Sequence, residues 1–67
     1  MIIRVKIKDL LDEHGLTQVE LSRISGVPPA TLSDLVRDKR TSINKIHLLA
    51  IAEALGITDI RDIINFE

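Results

Sequence analysis

Two apolar-periodic segments, 18–25 and 29–37, are separated only by Gly26-Val27-Pro28, and this spacing constrains the chain more than any other feature. Gly26 permits the positive φ that a sharp exit from a helix requires. Pro29 suits the first turn of the next helix, where a missing N–H is harmless and φ is already helical. Pro28 just outside keeps the connection extended and stiff. So short a link makes the second helix cross the first at close range. Small Ser22 allows that approach, and Val27, Leu32 and Leu35 pin the crossing. Leu32, Leu35 and Val36 recur at i, i+3 and i+4, the spacing of a buried helical stripe.

The flanking segments read as further short elements. Residues 1–7 alternate, with Ile3, Val5 and Ile7 on one side and Ile2, Arg4 and Lys6 on the other, a strand pattern. A lone strand needs a partner. That partner is either the tail Ile64-Asn65-Phe66-Glu67 or the same strand of a second subunit. A helix is predicted over about 8–14, burying Leu10 and Leu11, with Gly15 as its C-cap. Thr17 and Glu20 form a T-x-x-E capping box ahead of a helix over about 18–25 that buries Leu21 and Ile24. After the polar loop 37–41, Ser42 or Asn44 caps a helix over about 45–54, with Ile43 suited to a hydrophobic staple. This helix buries Leu48, Ile51, Ala52 and Leu55 and stops at Gly56. Thr58 caps a last helix over 59–64, faced by Ile57, Ile60, Ile63 and Ile64. The expected fold is one all-α domain over 1–67: a five-helix bundle with short β-strand segments at both ends.

Composition excludes several functions. There is no cysteine, so disulfides and thiolate metal sites are ruled out. His14 and His47 lack carboxylates at ligand spacing, so neither a metal nor a cofactor is expected. Asp9, Asp12 and Glu13 share one short helix with no matching histidine and read as surface charge. A chain of 67 residues has little room for the cleft of about 300 Å³ or more that a substrate site requires, so the chain is not expected to be an enzyme. No 18-residue apolar run and no signal peptide is present, which predicts a soluble cytoplasmic protein without a membrane partner.

The net charge of −1 is unevenly placed. Arg4, Lys6 and Lys8 make one basic run. Arg37, Lys39, Arg40 and Lys45, against Asp38 alone, make another, and Asp9, Asp12, Glu13 and Glu20 lie between them. Segregation of this kind builds a basic face on a near-neutral protein.

Residues 18–37 thus have helix-turn-helix spacing. The pattern Q-x-E-L-S-R-x-S-G-V-x-x-x-T-L-S-x-L at Gln18–Leu35 resembles the DNA-binding domain of the lambda-repressor, Cro and XRE family. The likeness extends over roughly 7–64, from Gly15-Leu16-Thr17 to Ala54-Leu55-Gly56-Ile57. It implies a lambda-repressor-like bundle that binds double-stranded DNA as a transcriptional regulator, a repressor, with helix 29–37 in the major groove. Phosphate contacts then fall on Thr17 and Gln18, on Lys39 and Arg40, and on Asn44 and Lys45 at the start of helix four. Base-facing positions are Pro29, Ala30, Thr31, Ser33, Asp34 and Arg37, and Arg37 also belongs to the basic loop.

That reading edge is sparse. Pro29 and Ala30 offer only apolar contact, Thr31 and Ser33 are short, and Asp34 can accept from a cytosine amine. Modest discrimination per subunit is expected, with DNA shape and dimer spacing adding the rest. Asp38 stands where the family usually has glycine, and aspartate tolerates the left-handed region better than most residues. Small members of the family often pair through their strands, and the apolar surplus at Ile2, Ile3, Ile64 and Phe66 points to a homodimer interface. The competing expectation is an antitoxin or anti-regulator whose apolar ends and acidic first helix bind a protein partner.

Overall fold

The computed structural model of the chain describes residues 1–39 and 41–67. The elements run β1 (Ile3–Val5), α1 (Ile7–His14), α2 (Gln18–Ser25), α3 (Pro29–Val36), α4 (Lys45–Leu55), a 3₁₀ turn (Ile60–Asp62) and β2 (Ile64–Phe66). The described residues therefore form four α-helices and a small two-stranded sheet, not five helices.

Local chemistry accounts for the helix bounds. The capping box at α2 is complete: the Glu20 N–H donates to Thr17 Oγ1 at 3.2 Å, and the Thr17 N–H donates to Glu20 Oε1 at 3.1 Å. Pro29 occupies the first turn of α3 behind an extended Pro28 with ψ 139°. Asn44, not Ser42, caps α4, its Oδ1 accepting from the Ile46 N–H at 2.8 Å. Each of α1, α2 and α4 ends on a glycine, and at Gly26 the φ of +79° is what lets α2 stop and the chain turn at once.

The core is aliphatic and drawn from every α-helix. Ile7, Leu21, Val27, Leu32, Ile51 and Ile63 are almost wholly buried, with Val5, Leu10, Leu11 and Leu35 around them. Leu48, Ala52 and Leu55 of α4 are half-buried against this cluster, as is Ile43 just before its cap. Burying each large side chain is worth about 1.5–3 kcal/mol. The α2 helix packs on α3 and α4, and α1 on α3.

Ile24, expected in the core, is 51% exposed. At about 100° per residue, Leu21, Ser22 and Ser25 fall in one arc of α2 that faces the turn and α3, while Ile24 lies outside that arc. Ser22 and Ser25 occupy the inward positions because their hydroxyls bond backbone carbonyls there.

The chain ends pair with each other. Strands β1 and β2 are antiparallel in the register Ile3↔Phe66, Arg4↔Asn65 and Val5↔Ile64, so the strands meet within one chain. The expected strand over residues 1–7 is shorter, because the Leu10 N–H bonds the Lys6 carbonyl and Ile7 becomes the first residue of α1. The expected helix over 59–64 is also corrected. Asp59 replaces Thr58 as the cap, its Oδ1 accepting from the Arg61 N–H at 2.9 Å. One 3₁₀ turn follows before Ile64 enters the sheet, leaving Ile60 exposed. Pairing with β1 bonds the Ile63 carbonyl to the Lys6 N–H and both backbone groups of Glu67 to Ile2, which a helix over 59–64 would forgo. The Arg61 side chain, hydrogen-bonded to Asp59 at 2.7 Å, draws the Asp59 carboxyl down to about 2.

Leu21→Ala should lower stability by about 2–5 kcal/mol in urea unfolding, whereas Ile24→Ala should change it by no more than about 0.5 kcal/mol. Equal losses would contradict the orientation of α2.

Candidate nucleic-acid interface

The helix-turn-helix is fastened by two serines. Ser22 Oγ donates to the Val27 carbonyl at 2.6 Å, and Ser25 Oγ donates to the Leu21 carbonyl at 2.6 Å while accepting from the Val27 N–H at 3.2 Å. Both polar groups of Val27 are thus satisfied while its side chain is 1% exposed. The sequence suggested only that Ser22 was small enough for close approach. Its hydroxyl in fact joins the two sides of the turn.

With the turn fixed, α3 presents its beginning to solvent. Pro29 and Ala30 are exposed, Thr31, Ser33 and Asp34 are half-buried, and Leu32 and Leu35 face the core. The Leu32 N–H bonds the Pro28 carbonyl, so the N–H groups of Ala30 and Thr31 are the ones that helix geometry leaves open. Base-facing candidates therefore form one edge of one helix, of mostly short side chains.

The end of α3 is a Schellman motif. Arg37 is its exposed C-cap, the Asp38 N–H bonds the Leu35 carbonyl at 3.1 Å, and the Lys39 N–H bonds the Asp34 carbonyl at 3.1 Å. Asp38 takes the left-handed position with φ +55°. Its Oδ2 accepts from the Val5 N–H at 3.4 Å. A glycine would relieve the strain at this position but could not tie the loop to β1. Sequence reasoning missed this contact, since nothing along the chain links position 38 to position 5.

The phosphate candidates lie at helix starts and in the loop. Thr17 and Gln18 are exposed at the start of α2, Asn44 and Lys45 at the start of α4, and Lys39 beyond α3. Helix N-termini carry partial positive charge and open N–H groups, which suit an anion. The Thr17 N–H and hydroxyl oxygen serve the capping box and Asn44 Oδ1 caps α4, so the donors these two residues can offer a phosphate are the Thr17 hydroxyl proton and the Asn44 side-chain amide N–H groups. Arg40 lies outside the described residues. The two basic runs do meet: Arg4, Lys6 and Lys8 line a groove of about 260 Å³ with Arg37, alongside Asp9 and Asp38. The interface candidates Ile2, Ile3 and Phe66 are exposed and Ile64 is half-buried, all on the terminal ribbon. Among the described residues no group of three or more histidine or acidic side chains could hold a metal ion, and no helix is long and apolar enough to cross a membrane.

Glu20 titrates below the ordinary carboxylate range because the Thr17 N–H, and then the Thr17 hydroxyl, hydrogen-bond its charged form. A depressed carboxyl stabilises the fold above its unfolded value of 4.5 and loses that contribution as pH falls through its folded value. Thr17→Ala should cost about 1 kcal/mol at neutral pH. The stability gap between the native chain and Glu20→Gln should narrow as pH falls from 4.5. A gap that widens on acidification would contradict the capping box as drawn.

A helix-turn-helix family model matches residues 7–63, which takes in all four helices. Among curated proteins and among solved structures, no match to the chain emerges. With the crossing of α2 and α3, the serine-fastened turn and a match over most of its length, the chain belongs to the XRE-type helix-turn-helix family of DNA-binding proteins.

Proposed function

We propose that the chain is a sequence-specific transcriptional regulator, a repressor, that sets α3 into the major groove as a homodimer on a palindromic site. One observation carries the reading: the start of α3 is exposed after its tight turn from α2, and Gln18, Lys45 and Lys39 are exposed at the starts of α2 and α4 and just beyond α3. Base edges are met by Pro29, Ala30, Thr31, Ser33, Asp34 and Arg37. Phosphates are met by Thr17, Gln18, Lys39, Arg40, Asn44 and Lys45. Phosphate contacts position the protein and base contacts specify the sequence. Here the positioning set is the fuller of the two, so affinity should exceed discrimination. Two copies on a palindromic site would address successive major grooves about 34 Å apart. Its action is binding, without catalysis.

A second reading is favoured by a specific surface. Leu48, Leu49, Ile57 and Ile60 line an apolar groove of about 380 Å³ between α4 and the 3₁₀ turn. An antitoxin or anti-regulator would use such a groove to hold a protein partner.

Titration of random duplex DNA at about 50 mM and about 200 mM salt separates the two. The regulator reading predicts binding that weakens steeply with salt, and Lys39→Ala should weaken binding to all sequences alike while reducing the salt slope by about one. No salt-dependent binding at micromolar protein would overturn it in favour of the protein-partner reading.

A further inference from the structure

The cations at the start of the chain stand beside the end of α3, roughly thirty positions away in sequence, and the helix-turn-helix by itself gives them no role. Arg4 lies on β1, Lys6 just before α1 and Lys8 in the first turn of α1. With Arg37, the C-cap of α3, they line one groove of about 260 Å³ together with Val5 and Val36. The strand and the end of α3 are tied across it, since Asp38 Oδ2 accepts from the Val5 N–H at 3.4 Å. Four cations against the carboxylates of Asp9 and Asp38 leave the groove two positive charges in excess, on a chain whose net charge is −1. Among the described residues Lys6, Lys8 and Arg37 form no ion pair. Arg4 is paired with Glu67 at 3.3 Å, but both side chains of the pair are about half exposed. Exposed pairs of this kind contribute little and exchange readily for another anion. Cations gathered around one groove repel each other, and a bound anion relieves that repulsion.

We propose that this groove holds a backbone phosphate of duplex DNA, one lying beyond the base pairs that the start of α3 addresses. The proposal rests on the regulator reading and extends its contact surface to Arg4, Lys6 and Lys8, which lie outside the helix-turn-helix. Continuity argues for DNA as the source of the phosphate. Arg37 belongs both to the groove and to the end of α3, and exposed Lys39 follows it by two positions. At about 1.5 Å per residue, Arg37 stands about 12 Å along the helix from Pro29. That is well inside the length of one DNA turn, about 34 Å. A duplex that meets the exposed edge of α3 is therefore long enough to reach the groove as well. Such a contact positions the protein and carries no sequence information. It adds affinity to a chain whose reading edge is made mostly of short side chains.

The salt dependence of binding to random duplex DNA tests this, because its slope counts the phosphates neutralised. Arg4 and Lys8 are exposed and outside the core, so Arg4→Gln and Lys8→Gln should unfold at the native temperature. Each should lower the salt slope by about one, and the two together by about two. The ratio of affinities at about 50 mM and about 200 mM salt should then shrink about threefold per cation removed. Arg23→Gln, an equal change of charge on an exposed residue that lines no part of the groove, should leave the slope at its native value. Native slopes in Arg4→Gln and Lys8→Gln would overturn the proposal, and so would an equal loss in Arg23→Gln. Inorganic phosphate distinguishes the other source. Saturable shifts of the Lys8 and Arg37 amides with phosphate, beside native DNA slopes in both variants, would assign the groove to a free anion and overturn it too. Absence of any salt-dependent binding by the native chain would overturn the regulator reading itself. A steep native slope that neither variant alters would overturn the groove alone, so the two failures are distinguishable.

Discussion

Everything that this molecule presents to a partner depends on how Val27 is held. Its side chain fills the crossing of α2 and α3, so its N–H and C=O cannot reach water. Two serines of α2 satisfy them, Ser22 taking the carbonyl and Ser25 the N–H. A buried backbone group without a partner costs about 1–3 kcal/mol, so these two bonds decide whether so tight a turn can be buried at all. Once they hold, Pro28 and Pro29 fix the direction in which α3 departs, and the exposed Pro29-Ala30 edge follows. Function on this chain is a consequence of turn geometry more than of any single reactive side chain.

A second constraint acts at the other end of α3. Asp38 closes the helix in the left-handed region and also reaches Val5 on the first strand. A non-glycine residue in that region costs about 1–2 kcal/mol, and the bond to the strand offsets part of it. One residue thereby joins the loop proposed to grip phosphate to the terminal ribbon.

Much of this was legible along the chain, and the failures have physical causes. Caps and breakers act within four residues, so Thr17 with Glu20, Pro29, and the glycines that close three helices could be read directly. Leu21, Leu32, Leu35 and Ile51 followed from helical spacing. Ile24 did not, because spacing from Leu21 gives two directions around a helix and the serine bonds chose the other. The last helix failed for a different reason. Residues 59–64 suit a helix locally, but sheet pairing with residues 59 to 63 positions away claims the tail; the tail could be named as one of two strand partners, but where helix gives way to strand is carried by no local signal. The contact of Asp38 with Val5 was hidden in the same way. On the candidate site, the turn, the positions along α3 and the Thr17 cap were visible, while the choice of Asn44 over Ser42 as the cap of α4 became clear only from its hydrogen bond.

The central claim is that α3 and the exposed starts of α2 and α4 form the DNA face. Backbone amide shifts in the NMR spectrum during titration with duplex DNA test it most directly. The account predicts the largest changes at Gln18, at Ala30 to Asp34, at Arg37 and Lys39 and at Lys45, with little at Ile64 to Phe66. Changes concentrated on the ribbon, with α3 silent, would contradict it.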